Sequence, residues 1–115
     1  MPRRARRGKM ALQLGGNLLE ACILAIIEKE DVYGYRLTQE AKELMEVSES
    51  TLYPVLRRLQ KDGLLNTYDE PFQGRNRRYY GITEEGKEKL QTYKVEWTGF
   101  KEKIDLVLEG VSRNE

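Results

Sequence analysis

Histidine is absent from this chain, and cysteine occurs once, at Cys22. Without histidine and with one thiol, no soft-metal site can close within a single chain, so a metal-sensing role finds no ligands. The same scarcity leaves no Ser/His or Cys/His nucleophile pair. No phosphate-cradling glycine loop appears, and the plentiful carboxylates lie along polar helix faces, so enzymatic chemistry has no foothold. One cysteine excludes an internal disulfide framework and fits a reducing compartment, which makes a cytoplasmic location the expectation. Cys22 falls among Leu18, Leu19, Ile23, Ile26 and Ile27, where a small core hydrophobe is expected rather than a nucleophile. No apolar run approaches the ~20 residues of a membrane span, and the basic N-terminus lacks the apolar segment of a secretory signal. No cofactor and no metal are expected.

The charge that is present is unevenly placed. The net charge is +1, yet residues 1–9 carry Arg3, Arg4, Arg6, Arg7 and Lys9 with no acid. Across residues 57–78, Arg57, Arg58, Lys61, Arg75, Arg77 and Arg78 face only Asp62, Asp69 and Glu70. A polyanion responds to such local patches, because exposed charges beyond about 8–10 Å are largely screened at physiological salt.

The basic stretch coincides with the most informative pattern of the chain. Leu52, Val55, Leu56 and Leu59 recur at helical spacing and share one face, so Ser50, Tyr53, Arg57 and Lys61 point the opposite way, with Thr51 and Arg58 flanking. Ser48 is placed to cap this helix, Val47 and Leu52 to staple it, and Gly63 to end it. Pro54 should strain the first turns, and a start near Ser50 is the alternative. Leu64–Asp69 and Arg77–Thr83 then read as strands joined by the turn-rich 70–76 segment, with Tyr80 and Ile82 facing inward. Arg75, Arg77 and Arg78 crowd the tip of that hairpin.

Upstream, a helix is expected from about Asn17, or from further back through Gly15-Gly16. A second follows Gly34, with Leu37, Ala41, Leu44 and Met45 on its apolar face, and Tyr33 and Tyr35 as packing residues. Only a tight turn separates it from Ser48, which is the arrangement of a helix-turn-helix. Downstream, Thr83 caps a long helix, helped by Glu84 and Glu85. Leu90, Tyr93, Trp97, Phe100, Ile104, Val107 and Val111 are spaced alternately three and four apart, an a/d seam suited to dimerisation or to packing on the first helix. The expected organisation is a basic arm at 1–9, a winged helix-turn-helix at 10–83, a dimerisation helix at 84–111 and a tail at 112–115. The arm is either a DNA-contacting extension or a solubilising tail. The fold class is mainly α with a small β-hairpin.

With these residues placed, the chain resembles the PadR family of bacterial transcriptional regulators. The match lies in Val32-Tyr33-Gly34-Tyr35, in Ser50 through Leu59, in Lys61-Asp62-Gly63-Leu64, and in Arg78 through Gly86. The resemblance implies a homodimeric repressor of nearby genes, relieved by a small molecule or stress signal. A single helix after the wing is similar to the short subfamily, which includes a multidrug-responsive member whose tryptophan on that helix lines a drug pocket against its dimer mate. Trp97 occupies that place. Duplex DNA contact is expected at Ser50, Thr51, Tyr53, Arg57, Arg58, Lys61, Arg75, Arg77 and Arg78, with Tyr53 and Arg57 as base readers. A planar aromatic or cationic effector is expected at Trp97, unless Trp97 only fills the dimer core. Glu96 and Glu20 could add a favourable field if they face the same cavity. The competing function is a winged-helix protein-interaction module without sequence-specific DNA binding.

Overall fold

The structure, a computed structural model, describes residues 18–110. Helix α1 is described over 18–29. It is followed by β1 (Val32–Tyr33), α2 (Gly34–Met45), α3 (Glu49–Lys61), β2 (Leu65–Phe72), β3 (Arg75–Ile82) and α4 (Glu84–Glu109). The strands form one antiparallel sheet in the order β1-β3-β2. This is a winged helix-turn-helix with a long terminal helix. The expected basic arm at 1–9, the Gly15-Gly16 question, Val111 and the tail at 112–115 lie outside the described residues.

The apolar spacing of α3 performs as read: Leu52, Val55, Leu56 and Leu59 are all buried. They meet Leu19, Ile23, Leu24 and Ile27 of α1, Leu37 and Ala41 of α2, Leu65 and Leu90 in one core. The helix runs unbroken from Glu49 through Pro54, whose missing N–H forfeits a bond to the carbonyl of the exposed Ser50 near the helix start. The Ser48 hydroxyl accepts the Thr51 N–H at 3.3 Å. At the other end Gly63, at φ +78°, lets its own N–H reach the Gln60 carbonyl at 3.0 Å and the Leu64 N–H reach Leu59 at 2.9 Å. Those two bonds close the last turn and send the chain into the wing.

The wing is longer and its turn tighter than the composition of 70–76 suggested. Pairing continues through Pro71↔Asn76 and Phe72↔Arg75, leaving only Gln73 and Gly74 to turn. Both have positive φ, 51° and 80°, the two-residue turn whose twist matches its strands. Pro71 is tolerated because β2 is an edge strand, where its missing donor can face outward. Gln73 is poorly suited to positive φ, whereas asparagine adopts it readily. Gln73→Asn should therefore stabilise the wing by about 0.5 kcal/mol, raising the thermal midpoint by about 2 °C. An unchanged or lower midpoint in calorimetry would contradict that turn.

The hairpin is also not alone. Val32 and Tyr33 pair with Tyr80 and Tyr79, a third strand too short to announce itself in sequence. Tyr80 and Ile82 pack against the core, as their inward period required. In α4, the Thr83 hydroxyl accepts the Gly86 N–H at 2.9 Å and begins a helix of 26 residues, about 39 Å long. Its described part ends at Glu109, with Gly110 at φ +63° as its cap. No helix among the described residues is long and apolar enough to cross a membrane.

Candidate nucleic-acid interface and effector groove

At the start of α3 three hydroxyls cluster. Ser48 Oγ lies 2.9 Å from Ser50 Oγ and donates to Thr51 Oγ1 at 3.3 Å. Ser50, Thr51, Tyr53, Arg57 and Lys61 are exposed along one face. The structure treats the six expected cations unequally. Arg57, Lys61 and Arg75 make no ion pair among the described residues. Arg58 stays exposed but is ion-paired to a buried acid: its Nε donates to Glu20 Oε2 at 3.0 Å, and its Nη2 reaches the same oxygen. Arg58, expected to flank the outer face, thus ties α3 to α1 from that flank. The bond to Glu20 raises the guanidinium pKa further.

On the wing, Arg78 faces Asp69 across the ladder at 3.6 Å. Arg77 is stacked instead, its guanidinium carbon 4.0 Å from the Tyr33 ring centroid and 3.6 Å from that of Phe72. Tyr33 leans on Tyr79, which stacks on Tyr68, and the Tyr68 hydroxyl donates to Asp31 at 2.5 Å. That hydrogen bond pushes the Tyr68 phenol up to about 12. Between α2, α3 and β3 lies a cleft of about 370 Å³ that gathers Tyr33, Tyr35, Tyr53, Arg77 and Arg78. Tyr35, expected to pack at the turn, is 68% exposed on its rim.

A second, apolar groove of about 550 Å³ separates α1 from α4. Leu18, Cys22, Tyr93, Glu96, Trp97 and Phe100 are among its walls. Cys22 is therefore a groove residue and not part of the core, and burial raises its thiol pKa. Trp97 and Phe100 sit edge-tilted with ring centroids 6.1 Å apart. Of the two carboxylates considered for this cavity, only Glu96 lines it. Glu20 is buried behind the wall, where it also accepts the Tyr93 hydroxyl. Burial and that bond both hold the Tyr93 phenol above its ordinary range.

The family model for the PadR-like transcriptional regulators matches residues 23–92, well over half of the chain. The chain belongs to the PadR-like family. It is accordingly a DNA-binding transcriptional regulator and not an enzyme. An uncharacterized protein X of Lysinibacillus sphaericus is 38% identical over 98 residues, which span 81% of this chain and 90% of that one. The crystal structure of smu.1704 from Streptococcus mutans has a TM-score of 0.78 at 43% identity, covering 87% of this chain and 94% of the other. A PadR-like transcriptional regulator from Bacillus cereus gives 0.77 at 36% identity, over 86% and 99%. Within this PadR-like fold, Tyr33 and Tyr35 share a cleft with Arg77 and Arg78, and Phe72 lies against Arg77, three aromatics outside the expected candidate set. The paired tyrosines of Val32-Tyr33-Gly34-Tyr35 were the available signal, but a contact between β1 and the wing is not written in local spacing.

Proposed function

We propose that this regulator is a ligand-responsive repressor that binds a palindromic operator as a homodimer. The carrying observation is α4 itself: Trp97, Phe100, Ile104 and Val107 are exposed along one seam, beside an apolar groove of about 550 Å³. Every described residue from 94 outward is exposed in the single chain, so the stripe calls for a partner of its own pattern. A two-fold dimer through α4 would bring two grooves and two Trp97 rings together and would set two α3 helices against successive major grooves. Ser50, Thr51 and Tyr53 are the proposed contacts in the groove. Arg57, Lys61, Arg75 and Arg78 add charge along phosphates.

The paired state of Arg58 separates it from its neighbour. Arg57→Ala should lower the slope of log affinity against log salt by about one. Arg58→Ala should lower the thermal midpoint with little change in that slope, since its partner is Glu20. Equal slope changes for both variants would contradict the assignment.

For the effector, paired indoles suit a planar apolar ligand, and a cationic one gains about 1–2 kcal/mol from their ring quadrupoles. The route to DNA runs through Tyr93, in the groove wall, because its hydroxyl and Arg58 of α3 end on the same Glu20 carboxylate. Titration with ethidium and other planar cations should quench Trp97, the only tryptophan, at tens of micromolar, and should weaken operator binding. Tyr93→Phe should keep the quenching and blunt the effect on operator affinity. Quenching that leaves wild-type operator affinity unchanged would reduce Trp97 to a core residue.

A further inference from the structure

The hairpin register offers two arginines a carboxylate directly across the ladder, Asp69 to Arg78 and Glu70 to Arg77. Arg78 takes its acid at 3.6 Å. The Arg77 side chain makes no ion pair or hydrogen bond among the described residues and is held by two rings instead, its guanidinium carbon 4.0 Å from the Tyr33 centroid and 3.6 Å from the Phe72 centroid. A guanidinium stacked on its faces keeps its N–H donors in the plane between the rings. Here they have no acceptor among the described residues. The rings are themselves braced, since Tyr33 leans on Tyr79, Tyr79 on Tyr68, and Tyr68 is tied to Asp31. Tyr33 is moreover the residue from which α2 starts, so the clamp joins the wing to the helix-turn-helix.

We propose that Arg77 is the specificity-determining residue of the wing, clamped by Tyr33 and Phe72 so that its free edge reads the minor groove of an A·T-rich step beside the half-site. The inference rests on DNA binding through α3 and the wing. A sequence-blind phosphate contact is served by any mobile cation, and Arg75 at the tip meets that description. A flat cation fixed before binding loses little side-chain freedom and suits the narrow, strongly negative groove of A·T tracts, which arginine enters preferentially. Arg77 shares its cleft with Tyr53 of α3, so the base pairs it reads adjoin those under the reading helix. Tyr33 and Phe72 act as positioning residues, because they meet the guanidinium and not the base.

The test uses the full chain and a duplex that it selects from a random pool. Each A·T pair of that duplex is replaced in turn by G·C and by inosine·C. Inosine lacks the 2-amino group of guanine, so I·C presents the minor-groove acceptors of A·T with the major-groove pattern of G·C. At one or two pairs flanking each half-site, A·T and I·C should bind alike and G·C about tenfold weaker. Arg77→Lys, which keeps the charge, should reduce that discrimination to under twofold. The double change Tyr33→Leu/Phe72→Leu should do the same with the arginine still present, and Tyr33→Phe should retain it. If the double variant does not fold, Arg77→Lys carries the result. Wild-type protein that penalises I·C as strongly as G·C at every position, or variants that weaken all duplexes by one factor, would overturn the proposal while leaving DNA binding intact. A pool yielding no enriched duplex would instead remove the DNA reading on which it rests.

Discussion

Replacing Phe100 and Ile104 together by aspartate is expected to break the proposed α4 dimer into a folded monomer that no longer holds its operator. Both side chains are among the less exposed on the outer half of α4, at 37% and 36%, and both lie on the a/d seam. Apposed across a two-fold axis, the two substitutions place four carboxylates in an apolar interface. Each such charge, unpaired, opposes association by several kcal/mol. Even a net loss of only about 4 kcal/mol raises the dimer dissociation constant roughly a thousandfold. Operator affinity should then fall at least about a hundredfold, because a monomer engages one half-site without the second held at high effective concentration. The monomer should survive, since α4 is anchored in the core by Leu90 and Tyr93, upstream of the changes. Sedimentation at micromolar concentration and operator titration read both consequences. A variant that stays dimeric, or a wild type that sediments as a monomer, would remove the seam as the interface.

That seam was legible in sequence because heptad spacing is local, and the same holds for α3. Its four apolar positions, its Ser48 cap and its Gly63 terminus all follow from residues within one or two turns. What escaped depends on partners far along the chain. Arg58 looks outward on a helical wheel, but Glu20 lies 38 residues away on a helix that crosses it. The ring slot for Arg77 needs Tyr33 from β1 and Phe72 from beyond Pro71. It could not be foreseen while 70–76 read as a loop. Gln-Gly is also a weak turn signal beside Asn-Gly, so strand pairing, not turn composition, decides where the wing ends. Cys22 was misplaced for a related reason. Its helix face was correctly apolar, but the part of that face opposite α4 opens into a groove.

Gly86 carries the largest expected effect of any small substitution here. It stands in the first turn of α4, where alanine ordinarily stabilises a helix by about 1 kcal/mol relative to glycine. In this position the sign should reverse. A Cβ built on Gly86 would lie 2.2 Å from the Leu64 carbonyl oxygen and 2.7 Å from Ile82 Cγ1. That carbonyl is backbone and already accepts the Thr83 N–H at 3.1 Å, while the Thr83 hydroxyl donates to the Gly63 carbonyl at 2.7 Å. Relief therefore requires α4 to move away from the base of the wing, breaking those bonds or the Leu90 packing. Gly86→Ala should cost about 2–4 kcal/mol, lowering the thermal midpoint by roughly 10 °C or more. Gly81 supplies the control. A Cβ there meets Asn66 Oδ1 at 2.8 Å, the end of an exposed side chain that can rotate aside, and Asp31 Oδ1 at 3.1 Å, which need give only slightly, so Gly81→Ala should cost under about 1 kcal/mol. The two glycines thus differ by what surrounds them and not by their own freedom. Because its start fixes α4, the proposed dimerisation helix, relative to the wing, any Gly86→Ala protein that folds should bind its operator more weakly than its lost stability explains. Equal thermal midpoints for the two variants would show that the approach of α4 to Leu64 is looser than 2.2 Å implies.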